Sequence, residues 1–247
     1  MKIVVGVNTL TSIDQPVYSN HCQFWFRLGR SSNHEFILSN PRRMSIDTMR
    51  NITAKVAIEN NADYVLFIDD DVLVPLNAIN MLLDCKADIA AGWTLIRGYP
   101  FKNMFFHFID EEKKSLQNVE GPPFDYLRFH PCDAVGFSCA LLRVDLLKKI
   151  DKPYFVTGPY NTEDIYFCLK AREAVPDCSI IVNLECRTSH NLGTEYIDPL
   201  NKRAYSDYYE KTFPDLVSKI EEKPIEAIKE KERDLSYETV LREAVWR

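Results

Sequence analysis

Tyr64-Val65-Leu66-Phe67-Ile68-Asp69-Asp70-Asp71 is an apolar run that ends abruptly in three carboxylates. The β-branched and aromatic residues from Val65 to Ile68 have the composition of a buried strand. Three adjacent acids repel one another unless water, a basic group or a cation neutralises them. On an extended chain Asp69 and Asp71 point to one side and Asp70 to the other. This spacing offers two oxygen ligands to a hard divalent ion, at the sheet edge where open α/β sheets place their ligands. Taken alone, the triplet also fits a solvated acidic turn, and the surrounding sequence has to decide.

Upstream, Lys2 to Val7 reads as a first strand, Asn8 to Pro16 as a loop, and Val17 to Leu28 as a helix. Glu35 to Leu38 can form a second strand. Ser45 is placed to cap a helix that carries Ile46, Met49, Ile52, Val56 and Ala57 at helical spacing and stops at Asn60-Asn61. Downstream, Pro75 suits the first turn of another helix with Leu76, Ile79, Leu82 and Leu83 on one face, and Asp88 to Gly92 is a further strand. The βαβαβ rhythm predicts a mostly parallel sheet flanked by helices.

The middle changes character. Met104 to Ile109 and Phe124 to Phe129 read as strands of a small β-insertion. Ala134 to Arg143 should return to the main sheet, followed by a helix from Val144 to Ile150. Thr162 is placed to cap a helix whose first turn carries Glu163 and Asp164, and Ser179 to Val182 is a late strand. Beyond about Pro199 the chain turns highly charged, with Glu221-Glu222-Lys223 and Lys229-Glu230-Lys231-Glu232-Arg233. The division expected is a domain over 1–198 and a charged helical extension over 199–247.

Composition bounds the function. Apolar residues make up 46% and charged residues 27%, as in an ordinary globular protein. A net charge of −6 argues against a broad nucleic-acid-binding surface. No apolar run approaches the roughly 20 residues of a membrane span. The N-terminus reads as a strand rather than a leader. Seven cysteines without CxxC spacing are expected to be buried free thiols in a reducing cytoplasm.

Four features can meet at one edge of such a sheet: the acid triplet, Arg50-Asn51 on the preceding helix, Glu163-Asp164 at a helix start, and His190 after a late strand. Arginine recognises phosphate and ribose oxygens through its planar fork. Each feature alone has an ordinary explanation, as a surface arginine, a helix cap or a structural histidine.

Together and in order they resemble the GT-A-type glycosyltransferases, particularly the family-2-like and small viral or bacterial members, from about Lys2 to Gly193. Met49-Arg50-Asn51 followed by Ala62 to Asp71 resembles the family's Arg-Asn helix and DXD strand. Ala90-Ala91-Gly92-Trp93 is similar to the strand beside the sugar pocket. Asp133 to Leu142 is similar to the strand lining the donor and acceptor sites. Thr162-Glu163-Asp164-Ile165-Tyr166-Phe167-Cys168 resembles the motif that supplies the catalytic carboxylate.

The resemblance implies roles. Asn8 and Thr9 border the nucleotide base, and Arg50, Asp69, Asp70 and Gly136 belong to the donor site. Trp93 stacks on a sugar face. Asp69, Asp71 and His190 hold the metal, Mn²⁺ or Mg²⁺, and an imidazole among carboxylates favours Mn²⁺. Asp164 is the base toward the acceptor hydroxyl, supported by Glu163. The expected function is a metal-dependent, hexosyltransferase-type enzyme that moves a sugar from a nucleotide-diphosphate donor, a UDP-sugar, to a hydroxyl of a saccharide, glycoprotein or other acceptor. The extension is a possible oligomer contact. One alternative is a sugar-nucleotide nucleotidyltransferase, against which Asn8 to Pro16 contains no glycine, lysine or arginine. The other is a non-catalytic carbohydrate- or nucleotide-sugar-binding protein.

Overall fold

In the computed structural model the strand with the acid triplet lies beside the N-terminal strand, and the rest of the sheet is built around this pair. The structure describes residues 1–221 apart from 32, 111, 113, 121–127, 159–160 and 194. In chain order the elements are β1 (Lys2–Asn8), α1 (Gln15–Ser31), β2 (Glu35–Ser39), α2 (Ile46–Glu59), β3 (Tyr64–Asp69), β4 (Val72–Leu73), α3 (Ala78–Leu83) and β5 (Ile89–Trp93). There follow β6 (Phe105–Asp110), β7 (Ser115–Asn118), β8 (Phe129–Pro131), β9 (Ala134–Val135), β10 (Cys139–Arg143), α4 (Val144–Leu147), α5 (Glu163–Ala174), β11 (Ile180–Arg187), β12 (Ser189–Asn191) and β13 (Tyr196–Ile197).

Seven strands form the main sheet in the order β2-β1-β3-β10-β5-β11-β8. β1 is parallel to β2 and β3, and β5 to β11. β10 runs antiparallel between β3 and β5, and β8 antiparallel at the β11 edge. Two three-stranded sheets, β13-β12-β4 and β7-β6-β9, flank it.

The pleat sorts the apolar run of β3 onto two cores. Val65 and Phe67 face a cluster that includes Ala54 and Ala57 of α2 and Ile165, Phe167 and Ala171 of α5. Leu66 and Ile68 face the other side, with Phe24 and Leu28 of α1 and Ile79 and Leu82 of α3. A strand buried on both faces needs a continuous apolar run, and this is why the segment does not alternate with polar residues. Gly6 allows α2 to approach β1, since a Cβ there would lie 2.5 Å from Thr53 Cγ2.

Several sequence expectations shift locally. Ser45 and Thr162 stand at N-cap positions in extended conformation, but neither caps with its side chain. The Ser45 hydroxyl pairs with the Thr48 hydroxyl at 2.8 Å, and Thr162 turns to Asp164. Pro75 lies one turn before α3, its carbonyl accepting the Ala78 N–H at 2.9 Å. The run from Ala134 to Arg143 is split, because the Gly136 N–H bonds the Met104 carbonyl at 2.7 Å and ends β9 on the small sheet before β10 enters the main one. The insertion pairs β6 with β7, whereas β8 joins the main sheet through β11. Of the strand expected over Phe124 to Phe129, residues 124–127 lie outside the described residues. The helix after β10 is shorter than expected and ends at Leu147.

The described residues fall into two compact units, Met1–Lys202 and a second that begins at Arg203. The helices α6 (Lys202–Thr212) and α7 (Pro214–Glu221) give the start of the charged extension. The charged run from Lys229 to Arg233 lies outside the described residues.

Candidate functional site

β1 and β3 end level with one another, with Asn8 opposite Asp69. The acid triplet therefore emerges at the carboxyl edge of the sheet, where parallel strands leave a crevice. The three carboxylates have different surroundings.

Asp69 is drawn inward. Its Oδ1 accepts from Arg50 Nη2 at 3.1 Å. Arg50, on α2, is 2% exposed. It also donates from Nε to Glu163 Oε1 at 2.9 Å and from Nη1 to the Phe137 carbonyl at 3.1 Å. The Phe67 and Phe137 rings lie 5.5 Å from the guanidinium carbon. One buried cation thus ties the end of β3, the turn before β10 and the start of α5 together. Burial works against the guanidinium charge, but the neighbouring Asp69, Glu163 and Asp164 keep it above its ordinary value. Burial raises Asp69 and Glu163 above the usual carboxylate range, with Arg50 opposing the shift and the neighbouring acids adding to it. Arg50 was expected to reach the nucleotide. In the structure it is buried, and its Nε, Nη1 and Nη2 each donate to a protein oxygen.

Asp70 holds the loop after β1, accepting the Leu10 N–H at 3.0 Å. Burial between its acidic neighbours pushes it up to about 6, against the pull of that N–H.

Asp71 faces outward. Its Oδ2 lies 2.9 Å from Arg97 Nη1 and 3.4 Å from His190 Nε2. Burial would raise Asp71, but His190 and Arg97 outweigh it and hold the carboxyl below its ordinary value. His190 Nδ1 is 2.8 Å from the Leu95 carbonyl, which can only accept, so Nδ1 carries a proton. In the neutral ring the Nε2 lone pair then faces a carboxylate oxygen, an arrangement that a proton or a cation between them makes favourable. Metal-ligating histidines characteristically donate their other N–H in this way. Asp71 and His190 therefore fit a divalent ion, while the Oδ1 of Asp69 is bound by Arg50. Among the described residues no three His, Cys, Asp or Glu side chains converge as a complete metal site.

The α5 carboxylates sit behind this edge. Asp164 is 7% exposed. It accepts the Phe137 N–H at 3.3 Å on Oδ2, and the Ile165 N–H at 2.8 Å and the Thr162 hydroxyl on Oδ1. A Cβ on Gly136 would lie 3.4 Å from Asp164 Oδ2 and 2.5 Å from Met104 Cε, so a larger residue there would have to displace the end of the Met104 side chain. Asn8 is 2% exposed, and neither atom of its amide has a partner among the described residues. Such an orphaned amide beside Asp69 is where a ligand edge would find a donor and an acceptor. Thr9 lies in the following loop, its N–H on the Pro41 carbonyl at 3.2 Å. Trp93 ends β5, its indole N–H on Asn103 Oδ1 at 2.8 Å.

Sequence reasoning missed Arg97, the cation on Asp71. Its only signal was a basic residue four positions after Trp93. It also missed His21, whose Nε2 meets the Val72 carbonyl at 3.0 Å directly behind the triplet.

Sheet order, the antiparallel β10 and the site at the carboxyl edge define a GT-A-like α/β fold. No family model matches the chain, and no curated protein sequence matches it. Solved structures do. A197 from STIV is 16% identical, with a TM-score of 0.54 over 77% of this chain and 86% of that one. The catalytic domain of Drosophila beta1,4galactosyltransferase 7, in complex with xylobiose, is 14% identical with a TM-score of 0.39, covering 79% and 69%. A glycosyltransferase involved in the glycosylation of the major capsid of PBCV-1 is 10% identical with a TM-score of 0.38, covering 73% and 82%. At these identities the likeness concerns the fold, and it is the first match that carries it. Among the described residues, no helix is long and apolar enough to cross a membrane.

Proposed function

We propose that this chain is a glycosyltransferase of the hexosyltransferase type, taking its sugar from a nucleotide-diphosphate donor, a UDP-sugar, and passing it to an acceptor hydroxyl. The observation that carries this reading is the convergence on Arg50. Through it the DXD strand and the Glu163-Asp164 helix start, 113 positions from Arg50 in sequence, share one buried hub beneath the sheet edge.

In this reading Asn8 offers its amide to the base, and Thr9 and Asp70 shape the loop around it. Asp71 and His190 would hold a divalent cation, Mn²⁺ or Mg²⁺. The ion supplies charge neutralisation for the leaving diphosphate. Arg97 stands beside the same position, able to release Asp71 and meet phosphate oxygens. Trp93 offers an aromatic face toward the sugar. Asp164 accepts the proton of the attacking hydroxyl, and Glu163 with Arg50 holds it in place. A second assignment has its own support. Three donors already occupy the Asp164 carboxylate oxygens, whereas burial raises Glu163 above the usual carboxylate range, a direction that suits proton transfer.

The test is a thermal-shift and turnover screen of nucleotide-sugars with Mn²⁺, beside UTP with a sugar phosphate. A ligand at about 100 times its dissociation constant adds roughly 2.7 kcal/mol of stability. Asp71→Ala should abolish metal-dependent donor binding with the fold intact. Donor binding without turnover points to a binding protein, and turnover of UTP with sugar phosphate to a nucleotidyltransferase. Unchanged Mn²⁺ dependence in Asp71→Ala overturns the metal assignment.

A further inference from the structure

The β8 edge of the main sheet carries a second titratable cluster, which the transferase chemistry does not use. His107 of β6 and His130 of β8 face one another with their Nε2 atoms 3.3 Å apart. The far nitrogen of His107, Nδ1, lies 3.1 Å from Asp133 Oδ2. That carboxylate is itself fixed. Its Oδ2 accepts the Phe108 N–H at 2.9 Å, and its Oδ1 lies 3.2 Å from Arg172 Nη2. Arg172 in turn lies over the Phe108 ring at 5.6 Å.

A carboxylate paired with arginine only accepts, so the proton of His107 sits on Nδ1 and the Nε2 lone pair is aimed at His130. The His130 ring rests against Phe105, centroid to centroid 5.4 Å. The separation is informative. Two imidazole nitrogens bound at about 2.0–2.1 Å around a tetrahedral ion stand about 3.3 Å apart. The His107 side chain is 47% exposed, so an ion can enter from solvent. Cys132 is no ligand, since burial pushes its thiol well up and its Sγ is directed at the Ile180 carbonyl at 3.8 Å.

We propose that His107 and His130 form an open site for a borderline divalent transition metal, Zn²⁺ by its chemistry, with Asp133 fixing His107 through the far nitrogen. Water completes the coordination. The carboxylate–imidazole–metal relay both orients the ring and raises its basicity. A pair of imidazoles selects against Mg²⁺ and Ca²⁺, which separates this site from the carboxylate edge at Asp71. His107 stands on the insertion sheet and His130 on the main sheet, so the ion ties the two sheets together. Asp133 directly precedes β9, which leads to Gly136 and Phe137 at the Arg50 hub.

The competing arrangement is an N–H···N hydrogen bond between the imidazoles with no affinity for metal. The full chain, stripped with a chelator, is titrated with Zn²⁺ and separately with Mg²⁺, and its histidine nitrogens are followed by long-range ¹H–¹⁵N NMR. The first equivalent of Zn²⁺ should shift Nε2 of His107 and His130 together, and Mg²⁺ should not. In competition with a chromophoric chelator, His107→Ala and His130→Ala should each abolish this binding. Asp133→Asn should weaken it by about 10–100-fold, and His190→Ala should leave it in place. Unchanged Zn²⁺ affinity in both alanine variants, or Zn²⁺ shifts confined to His190, overturns the proposal. Where an alanine variant fails to fold, the titration of the unsubstituted chain decides alone.

Discussion

Asp69 and Asp71 are two residues apart in sequence, but β3 ends at Asp69 and the two carboxylates belong to different environments. Asp69 joins a buried hub in which Arg50, at 3% side-chain exposure, is held by two carboxylates and a carbonyl. Asp71 meets the buried His190 on one side and Arg97 on its outer side, where the Arg97 side chain is 60% exposed. A buried ion pair loses heavily when one partner goes, because the other charge is left uncompensated. A surface pair exchanges its partner for water, an ion or a phosphate at little cost. The hub is therefore suited to hold geometry and the outer edge to exchange ligands. Each experiment below either breaks that division or sharpens it.

The largest effect is expected at the hub. Arg50→Ala leaves Asp69 and Glu163 unpaired and should destabilise the fold by about 3–5 kcal/mol in urea denaturation. Arg50→Lys should recover only part of this, since a point charge cannot serve three directions. A loss under about 1 kcal/mol for Arg50→Ala would show that the hub does not hold the edge together.

Next come the carboxylates of α5. Asp164→Asn and Glu163→Gln, assayed side by side, should separate base from support. Loss of a positioned proton acceptor lowers turnover by about 10²–10⁴-fold with donor affinity nearly unchanged. A near-normal rate for Asp164→Asn with a collapsed rate for Glu163→Gln assigns the base to Glu163. Near-normal rates in both variants would remove proton abstraction from the reading.

A smaller effect concerns His21, 4% exposed behind the triplet. Burial holds it below the ordinary histidine value, against the Val72 carbonyl. The unfolded chain then takes up the proton first, so the contribution of His21 is present above about pH 6.5 and is lost as the pH falls through the folded-state value. The fall should be no steeper than about 1.4 kcal/mol per pH unit. His21→Gln, which keeps a donor toward Val72, should flatten the stability profile over that window. Parallel profiles for the two proteins would remove His21 as an acid-sensitive support of the edge.

The smallest effect is expected at Arg97. Arg97→Ala should change stability by under about 1 kcal/mol, as for other exposed pairs. It should nevertheless weaken donor binding at low ionic strength. Unaltered donor affinity at every salt concentration would make Arg97 a bystander.

By itself the sequence determined the alternation of strands and helices in the first half of the chain. Val65 to Ile68 reads as a strand covered on both faces, because the run is short, β-branched and aromatic, and uninterrupted by polar residues. The helical spacing of Met49, Val56 and Ala57 likewise gave α2 an apolar face to pack, and the order of motifs allowed Asp69, Asp71, Glu163, Asp164 and His190 to meet at one edge. Tertiary structure alone decided which of these groups face one another. Arg50 looked like a phosphate ligand in sequence and became a buried hub, because Glu163 and the Phe137 carbonyl arrive from segments 113 and 87 positions away. The break at Gly136, the pairing of β8 with β11, Arg97 on Asp71 and the His107–His130 contact are of the same kind. Local periodicity reports which face of an element is apolar, whereas the partner of a polar atom is set by strands that meet only when the whole sheet is assembled.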